Sequence, residues 1–293
     1  MCDNDSMDDM VDYQRSATGL SRREFGALTL GAGFMSMLQR AGAADMETME
    51  SDVEIKTPDG TTDAYFVHPA KGAHPAVLVW PDIFGLRPAF RQMGKRLAQS
   101  GYSVLVVNPF YRTQKAPTAP PNPDFNDPAT RTSLMKLAGT LNADTNRTDA
   151  QAYISWLDSQ SAVDRKRKMG TTGYCMSGPF VFRTAAAHAD RVGAGATFHG
   201  GGLVTDKPDS PHLLIPMIKA DFLCCIASND DMRQPEAKDV LRAAFAKAKL
   251  KAEVEVYEGA MHGWCPPDSQ VYDHDAAEKA WSRQLAHFKS ALV

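Results

Sequence analysis

Residues 170–179 read Gly-Thr-Thr-Gly-Tyr-Cys-Met-Ser-Gly-Pro, a run that permits few backbone shapes. Residues 169–172 can close a buried strand, and 178–188 repeats Phe180, Val181, Thr184, Ala185 and His188 at helical spacing. Between them the chain must turn from strand to helix with Cys175 at the tip. Such a corner strains the tip residue and needs small neighbours where other chain passes close by. Gly173 supplies this before the cysteine; Ser177 and Gly178 supply it after. The tip side chain then projects at a helix N-terminus, where the dipole favours a thiolate. The pattern is a nucleophile elbow with sulfur where G-x-S-x-G places a hydroxyl. Read alone, Cys175 would be a small buried hydrophobe; the partners found downstream argue against that.

The rest of the chain alternates in kind. Apolar β-type runs fall at 76–80, 103–107, 169–172, 194–198, 222–227 and 253–257. Helical patterns occupy 87–100, 148–159 and 236–249, the last with Val240, Leu241, Ala244, Phe245 and Ala248 on one stripe. A C-terminal helix carries Ala277, Trp281, Leu285, Phe288 and Leu292 on one face. Strands alternating with helices predict an α/β fold, a mainly parallel central sheet with helices on both faces. A hydrophobic content of 43% supports a substantial core, and residues 45–293 form one domain without repeats. A net charge of −3 gives no electrostatic reason to expect nucleic acid, and the basic run 165–168 is a solvated turn. The Pro-, Asn- and Asp-rich stretch 115–128 predicts a long loop near the sheet's C-terminal edge, where folds of this kind bind substrates.

The first 44 residues differ in character. Ser21-Arg22-Arg23-Glu24-Phe25 resembles a twin-arginine export signal, followed by an uncharged stretch over 25–38 and the small-residue site Ala41-Gly42-Ala43-Ala44. That stretch is too short for a membrane span of about 20 residues. Residues 1–44 are therefore set apart as an export signal, which implies the twin-arginine translocation machinery as a partner and a periplasmic location. Beyond the signal lie Cys175, Cys224, Cys225 and Cys265, with no C-x-x-C pair. No metal or organic cofactor is expected.

A cysteine nucleophile needs a base, since a free thiol has a pKa of about 8.5. His262 lies in a glycine-flanked loop, Glu258-Gly259-Ala260-Met261-His262-Gly263-Trp264, directly after the strand at 253–257. The base needs an orienting carboxylate, and Asp230 and Asp231 follow the strand at 222–227. Each alone has an ordinary reading: a packing histidine, two helix-leading aspartates. Together they stand in the chain order nucleophile, acid, histidine, each after a predicted strand. The residues themselves leave Asp230 and Asp231 both open.

From about residue 52 to 293 the chain resembles the dienelactone hydrolase family of α/β-hydrolases. Gly173-Tyr174-Cys175-Met176 matches its G-x-C-x-G signature, and His262 its histidine. The resemblance favours Asp231 as the acid, because Pro235 lies four residues beyond it, as in the family. Pro81-Asp82-Ile83-Phe84-Gly85 matches a motif whose acidic residue, usually glutamate, holds the resting thiol. It implies an oxyanion hole built from the backbone N–H groups of Ile83 and Met176. It also implies that Arg112 binds a substrate carboxylate. A second family arginine after the histidine is missing from Gly263-Trp264-Cys265-Pro266-Pro267, where Trp264 is expected to wall an apolar pocket. His199-Gly200-Gly201-Gly202 imitates a lipase oxyanion motif but follows the elbow, and is expected to be a flexible turn.

The expected function is hydrolysis of activated carboxylic esters or lactones by a Cys-His-Asp triad through an acyl-enzyme. The partners are a small ester or lactone and the export machinery, with the protein a monomer or small homo-oligomer. Two rivals stand beside it. One is a broad esterase or thioesterase, favoured by the missing arginine. The other is a catalytically silent periplasmic binding protein on the same scaffold.

Overall fold

Alternating side-chain direction along fully buried central strands sets the layering. In β3 (Ala76–Trp80), Ala76, Leu78 and Trp80 enter one core cluster while Val77 and Val79 enter another. The computed structural model describes residues 45–121 and 123–293, so the export signal expected in 1–44 lies outside the described residues. The other parallel strands are β4 (Ser103–Val107), β5 (Met169–Tyr174), β6 (Val192–Phe198), β7 (Asp221–Ala227) and β8 (Ala252–Tyr257). The eight-stranded sheet runs β1-β2-β4-β3-β5-β6-β7-β8, parallel from β4 to β8. This is the α/β architecture that the strand–helix alternation predicts.

Two strands stand outside the expected set. β1 (Thr48–Thr57) and β2 (Gly60–Pro69) form an antiparallel hairpin whose second strand pairs with β4. Within β1 only Ile55 is fully buried, and its alternating acidic residues give little apolar signal.

The two faces are covered separately. α1 (Pro88–Gln99) and α7 (His274–Ala291) pack on the face that carries Val77, Tyr174, Phe198 and Cys225. α3 (Ala143–Asp158), α4 (Gly178–Ala187) and α6 (Ala237–Ala248) pack on the face that carries Trp80, Phe222 and Cys224. The adjacent Cys224 and Cys225 thus point to opposite faces, and all four described cysteines are free thiols. Residues 115–121 and 123–127 lie in the expected loop. It then feeds an unforeseen helix α2 (Pro128–Ala138), capped by Asp127 accepting from Thr130 N at 2.8 Å, with Pro128 in its first turn. A short helix α5 (Ser228–Arg233) follows β7 directly. Among the described residues, no helix is long and apolar enough to cross a membrane.

Candidate active site

The site lies beyond the carboxyl ends of the parallel strands, where successive strand ends deliver successive functional groups. β5 ends at Tyr174, and Cys175 then takes φ 55°, a left-handed conformation costly for a residue with a Cβ. The neighbours are small for a measurable reason. A Cβ on Gly173 would sit 2.5 Å from the Ser177 carbonyl oxygen, and one on Gly178 would sit 2.7 Å from the Gly200 Cα. Ser177 occupies the position where the family signature has glycine. It is fully buried, and its hydroxyl donates to the Pro81 carbonyl, hooking the elbow to the turn that carries Ile83. Gly201 N donates to the Cys175 carbonyl at 3.2 Å.

His262 reaches this corner from the loop after β8. Its Nδ1 lies 2.7 Å from Asp230 Oδ2, and its own backbone N–H donates to Asn229 Oδ1 at 2.8 Å. Burial alone would lower the His262 pKa. The Asp230 carboxylate, bonded to Nδ1, and the neighbouring Cys175 side chain raise it well above the ordinary value instead. Of the two aspartates, the structure brings Asp230 to the histidine, while Asp231, which the resemblance favours, pairs with Lys238 at 2.6 Å. Both aspartates lie in α5, where successive residues are turned about 100° apart at 3.6 residues per turn. Only one of them can face the histidine.

The segment 199–202, expected as a flexible turn, is a turn packed closely against the elbow. His199 is fully buried at φ 41°, and its backbone N–H donates to the Cys225 carbonyl at 2.8 Å. Its ring lies edge-on to His262 at 5.1 Å between centroids and at the same distance from Trp264. Neither of its ring nitrogens has a hydrogen-bond partner. Burial and the nearby His262 charge hold its pKa well below the ordinary value. The glycines after it let this chain press against the elbow, as the Gly178–Gly200 approach demands. Sequence reasoning also misses Asn229, and the asparagine before the aspartate pair is its only signal.

Three further expectations change. Asp82 does not present a free carboxylate to the thiol: it accepts from Arg87 at 2.6 and 2.9 Å and from Phe84 N at 2.9 Å. Arg87 in turn donates to Asp268 at 2.7 and 3.0 Å, so one buried guanidinium bridges two carboxylates. The shorter aspartate favours this, since its carboxylate stays close to the turn backbone. Arg112 is likewise committed, to Asp149 at 2.7 and 2.8 Å and to Asp59 at 2.6 and 3.0 Å. Trp264 walls no accessible pocket, because it is 0% exposed and stacks on Tyr257 at 5.1 Å. Ile83 and Met176, the expected oxyanion residues, are buried in one cluster with Cys175, Phe110, Phe125, Leu134 and Val271. The thiol therefore sits among apolar side chains beneath the 115–127 loop and α2. A cleft of about 540 Å³ between Phe84, Arg87, Pro117, Pro123 and Pro267 lies next to this cluster. Among the described residues, no group of three His, Cys, Asp or Glu side chains could hold a metal ion.

The dienelactone hydrolase family matches residues 62–292 of the chain. A carboxymethylenebutenolidase from Rhodococcus opacus is 26% identical over 249 residues, covering 81% of this chain and 90% of that protein. Among solved structures, a dienelactone hydrolase-like promiscuous phosphotriesterase from metagenomic libraries aligns with a TM-score of 0.68 at 22% identity, over 84% of this chain and 99% of the other. The dienelactone hydrolase of Anabaena variabilis ATCC 29413 aligns with a TM-score of 0.61 at 15% identity, over 84% and 99%. At these identities the structural likeness speaks to the fold.

Proposed function

The chain belongs to the dienelactone hydrolase family, and on that premise we propose that it hydrolyses activated carboxylic esters and lactones through an acyl-enzyme on Cys175. The observation that carries the reading is one imidazole with Asp230 on Nδ1 at 2.7 Å and the Cys175 side chain as the second group that raises its pKa. A base whose pKa is raised by a thiolate and a carboxylate can store the thiol's proton as an imidazolium, the condition an attacking sulfur requires.

In this mechanism the Cys175 thiolate attacks the acyl carbon, and the carbonyl electrons move onto oxygen. The N–H groups of Ile83 and Met176 receive that oxyanion. The C–O bond to the leaving group breaks as imidazolium His262 gives it a proton; in a lactone the released hydroxyl stays tethered to the acyl group. Neutral His262 then takes a proton from water, whose oxygen attacks the thioester, and the thiolate leaves again. Asp230 keeps the ring oriented and offsets its charge throughout. Sulfur is the better leaving group from the tetrahedral intermediate, so the alcohol must be activated for attack to go forward. The name of the Rhodococcus opacus relative, carboxymethylenebutenolidase, is in keeping with this.

The substrates are uncharged. Arg87 and Arg112 are each committed to two carboxylates, and the thiol is ringed by apolar side chains. This favours the broad esterase reading of specificity over the binding of a carboxylate-bearing lactone. The likeness of residues 21–44 to an export signal supports a periplasmic activity, delivered by the twin-arginine machinery.

The experiment is hydrolysis of p-nitrophenyl acetate and of a dienelactone by the purified protein, with Cys175→Ala alongside. Mass spectrometry of the quenched protein looks for an acetyl group on Cys175. Cysteine-dependent turnover with the acetyl adduct supports the mechanism. Preference for the neutral ester supports the specificity reading, and efficient turnover of the anionic lactone overturns it. Full activity in Cys175→Ala would sink the mechanism.

A further inference from the structure

The turn at 81–85 is held from two sides. Ser177, buried in the elbow, donates its hydroxyl to the Pro81 carbonyl. Arg87, 8% exposed, donates two bonds to the Asp82 carboxylate, at 2.6 and 2.9 Å. Asp82 in turn gathers the amides that follow. Its side chain accepts from Phe84 N at 2.9 Å and its carbonyl accepts from Gly85 N at 3.0 Å. The Ile83 N–H has no acceptor among the described residues. The turn thus commits its neighbours and leaves one donor, on a residue that shares an apolar cluster with Cys175.

The same guanidinium has a second grip. Its Nε and Nη2 donate to Asp268 at 2.7 and 3.0 Å, in the loop that follows His262. The Phe84 and Phe90 rings flank it, with centroids 5.2 and 5.0 Å from Cζ. Stability is a poor reason for such a group, since apolar packing of similar volume often does as well as a buried ion pair. What a planar fork supplies is geometry: it fixes two carboxylates at once, which the point charge of a lysine cannot do. His262 is held separately, by Asp230 and Asn229. The histidine loop is therefore a fixed post against which the turn can be braced.

We propose that Arg87 is a positioning residue for ester cleavage: it braces the turn that carries the Ile83 N–H against the loop that carries His262, and so aims the oxyanion donor at the acyl group on Cys175. The inference rests on the acyl-enzyme reading above. It makes Asp82 one arm of the brace and Asp268 the other.

Two reactions of Cys175 separate this role from a merely structural one. Alkylation by iodoacetamide needs the thiolate and forms no oxyanion; acylation by p-nitrophenyl acetate needs the thiolate and the oxyanion donors. In Arg87→Met, acylation is expected to slow about a hundredfold, as for a misplacement of about 1 Å, with alkylation within about threefold of wild type. Asp268→Asn, at the partly exposed end of the brace, is expected to show a smaller loss in the same direction. An equal fall in both reactions, or unchanged acylation in either variant, would overturn the proposal. Should Arg87→Met fail to fold, Asp268→Asn decides by the same criteria. If the wild-type protein is alkylated but never acylated, the ester reading fails, and crystal structures of the wild type and Asp268→Asn decide the brace alone. Displacement of Ile83 N relative to Cys175 Sγ in the variant supports it; an unmoved turn rejects it.

Discussion

Two neighbouring strands end in the same unusual way and to different effect. β5 runs into Cys175 at φ 55° and β6 into His199 at φ 41°, both non-glycine residues in the left-handed region, each with glycines close behind. At the first corner the tip side chain meets a partner: the cysteine interacts with His262, which is held by Asp230 and Asn229. At the second corner the imidazole has no hydrogen-bond partner for either nitrogen and lies among the rings of His262, Trp264 and Tyr174. Backbone strain alone therefore does not mark a reacting group. In the proposed mechanism the chemistry belongs to the corner whose side chain meets a titrating partner, while the other corner acts as a wall. The consequence shows in the two histidines, 5.1 Å apart, one pKa raised by its partners and the other lowered by burial.

The comparison breaks most sharply at the acid. Asp230→Asn is expected to lower kcat for p-nitrophenyl acetate by roughly 10³–10⁴, since the ring loses its orienting charge. Steady-state kinetics with the fold checked by circular dichroism measures this, and wild-type kcat would remove Asp230 from the first corner. The next effect tests how tightly each corner is packed. Gly173→Ala is expected to cost about 3 kcal/mol of unfolding free energy, because its Cβ would collide with backbone at 2.5 Å. Gly200→Ala is expected to cost about 1 kcal/mol, because its first collision is with the Thr197 hydroxyl, which has no hydrogen bond to lose. Urea denaturation of both variants gives the order, and equal costs would erase the distinction.

A third expectation concerns pH. His199 has its folded pKa below the unfolded value of about 6.5, so the unfolded chain takes up the proton first as pH falls. Its burial therefore destabilises the fold below about pH 6.5, by about 1.4 kcal/mol per pH unit. For His262 the sign is opposite. Its pKa is raised, so its contribution is present below about pH 6.5 and is lost as pH rises through the folded value. His199→Phe is expected to flatten the acid limb of the stability profile and leave the alkaline limb in place. Denaturation series from pH 4 to 9 would read this, and an unchanged acid limb would show that His199 does not titrate as a buried neutral ring. The smallest effect is expected from Asp231→Asn, within about threefold of wild-type kcat, since that carboxylate pairs only with partly exposed Lys238. A loss as large as that of Asp230→Asn would restore it as the acid.

Much of the first corner is legible in the residues alone. The run from Gly173 to Gly178 demands a strand, a strained tip and a helix, and β5, Cys175 and α4 follow that order. The apolar β-type runs place β3 and β4 at their observed residues and the other parallel strands to within two. The β1–β2 hairpin is hidden because its outer strand buries almost nothing, and α2 because its moderate apolar stripe follows a proline-rich loop. The second corner misleads because glycine runs signal freedom locally, whereas here they signal close approach of another stretch of chain.

Local sterics and periodicity, both written in the chain, are enough for the elbow, the parallel α/β layering, and the presence of an acid and a histidine after the last strands, while the family comes from the resemblance of the motifs. Which side chains face one another depends on how the elements come together. Asp230 rather than Asp231 meets His262 because successive positions on α5 point in different directions, and Asp231 is turned to Lys238. Arg87 and Arg112 are withdrawn from a substrate's reach because Asp268, Asp149 and Asp59, far away in the chain, fold against them. A charge is valued by its neighbours within a few ångströms, and those neighbours are chosen by the fold.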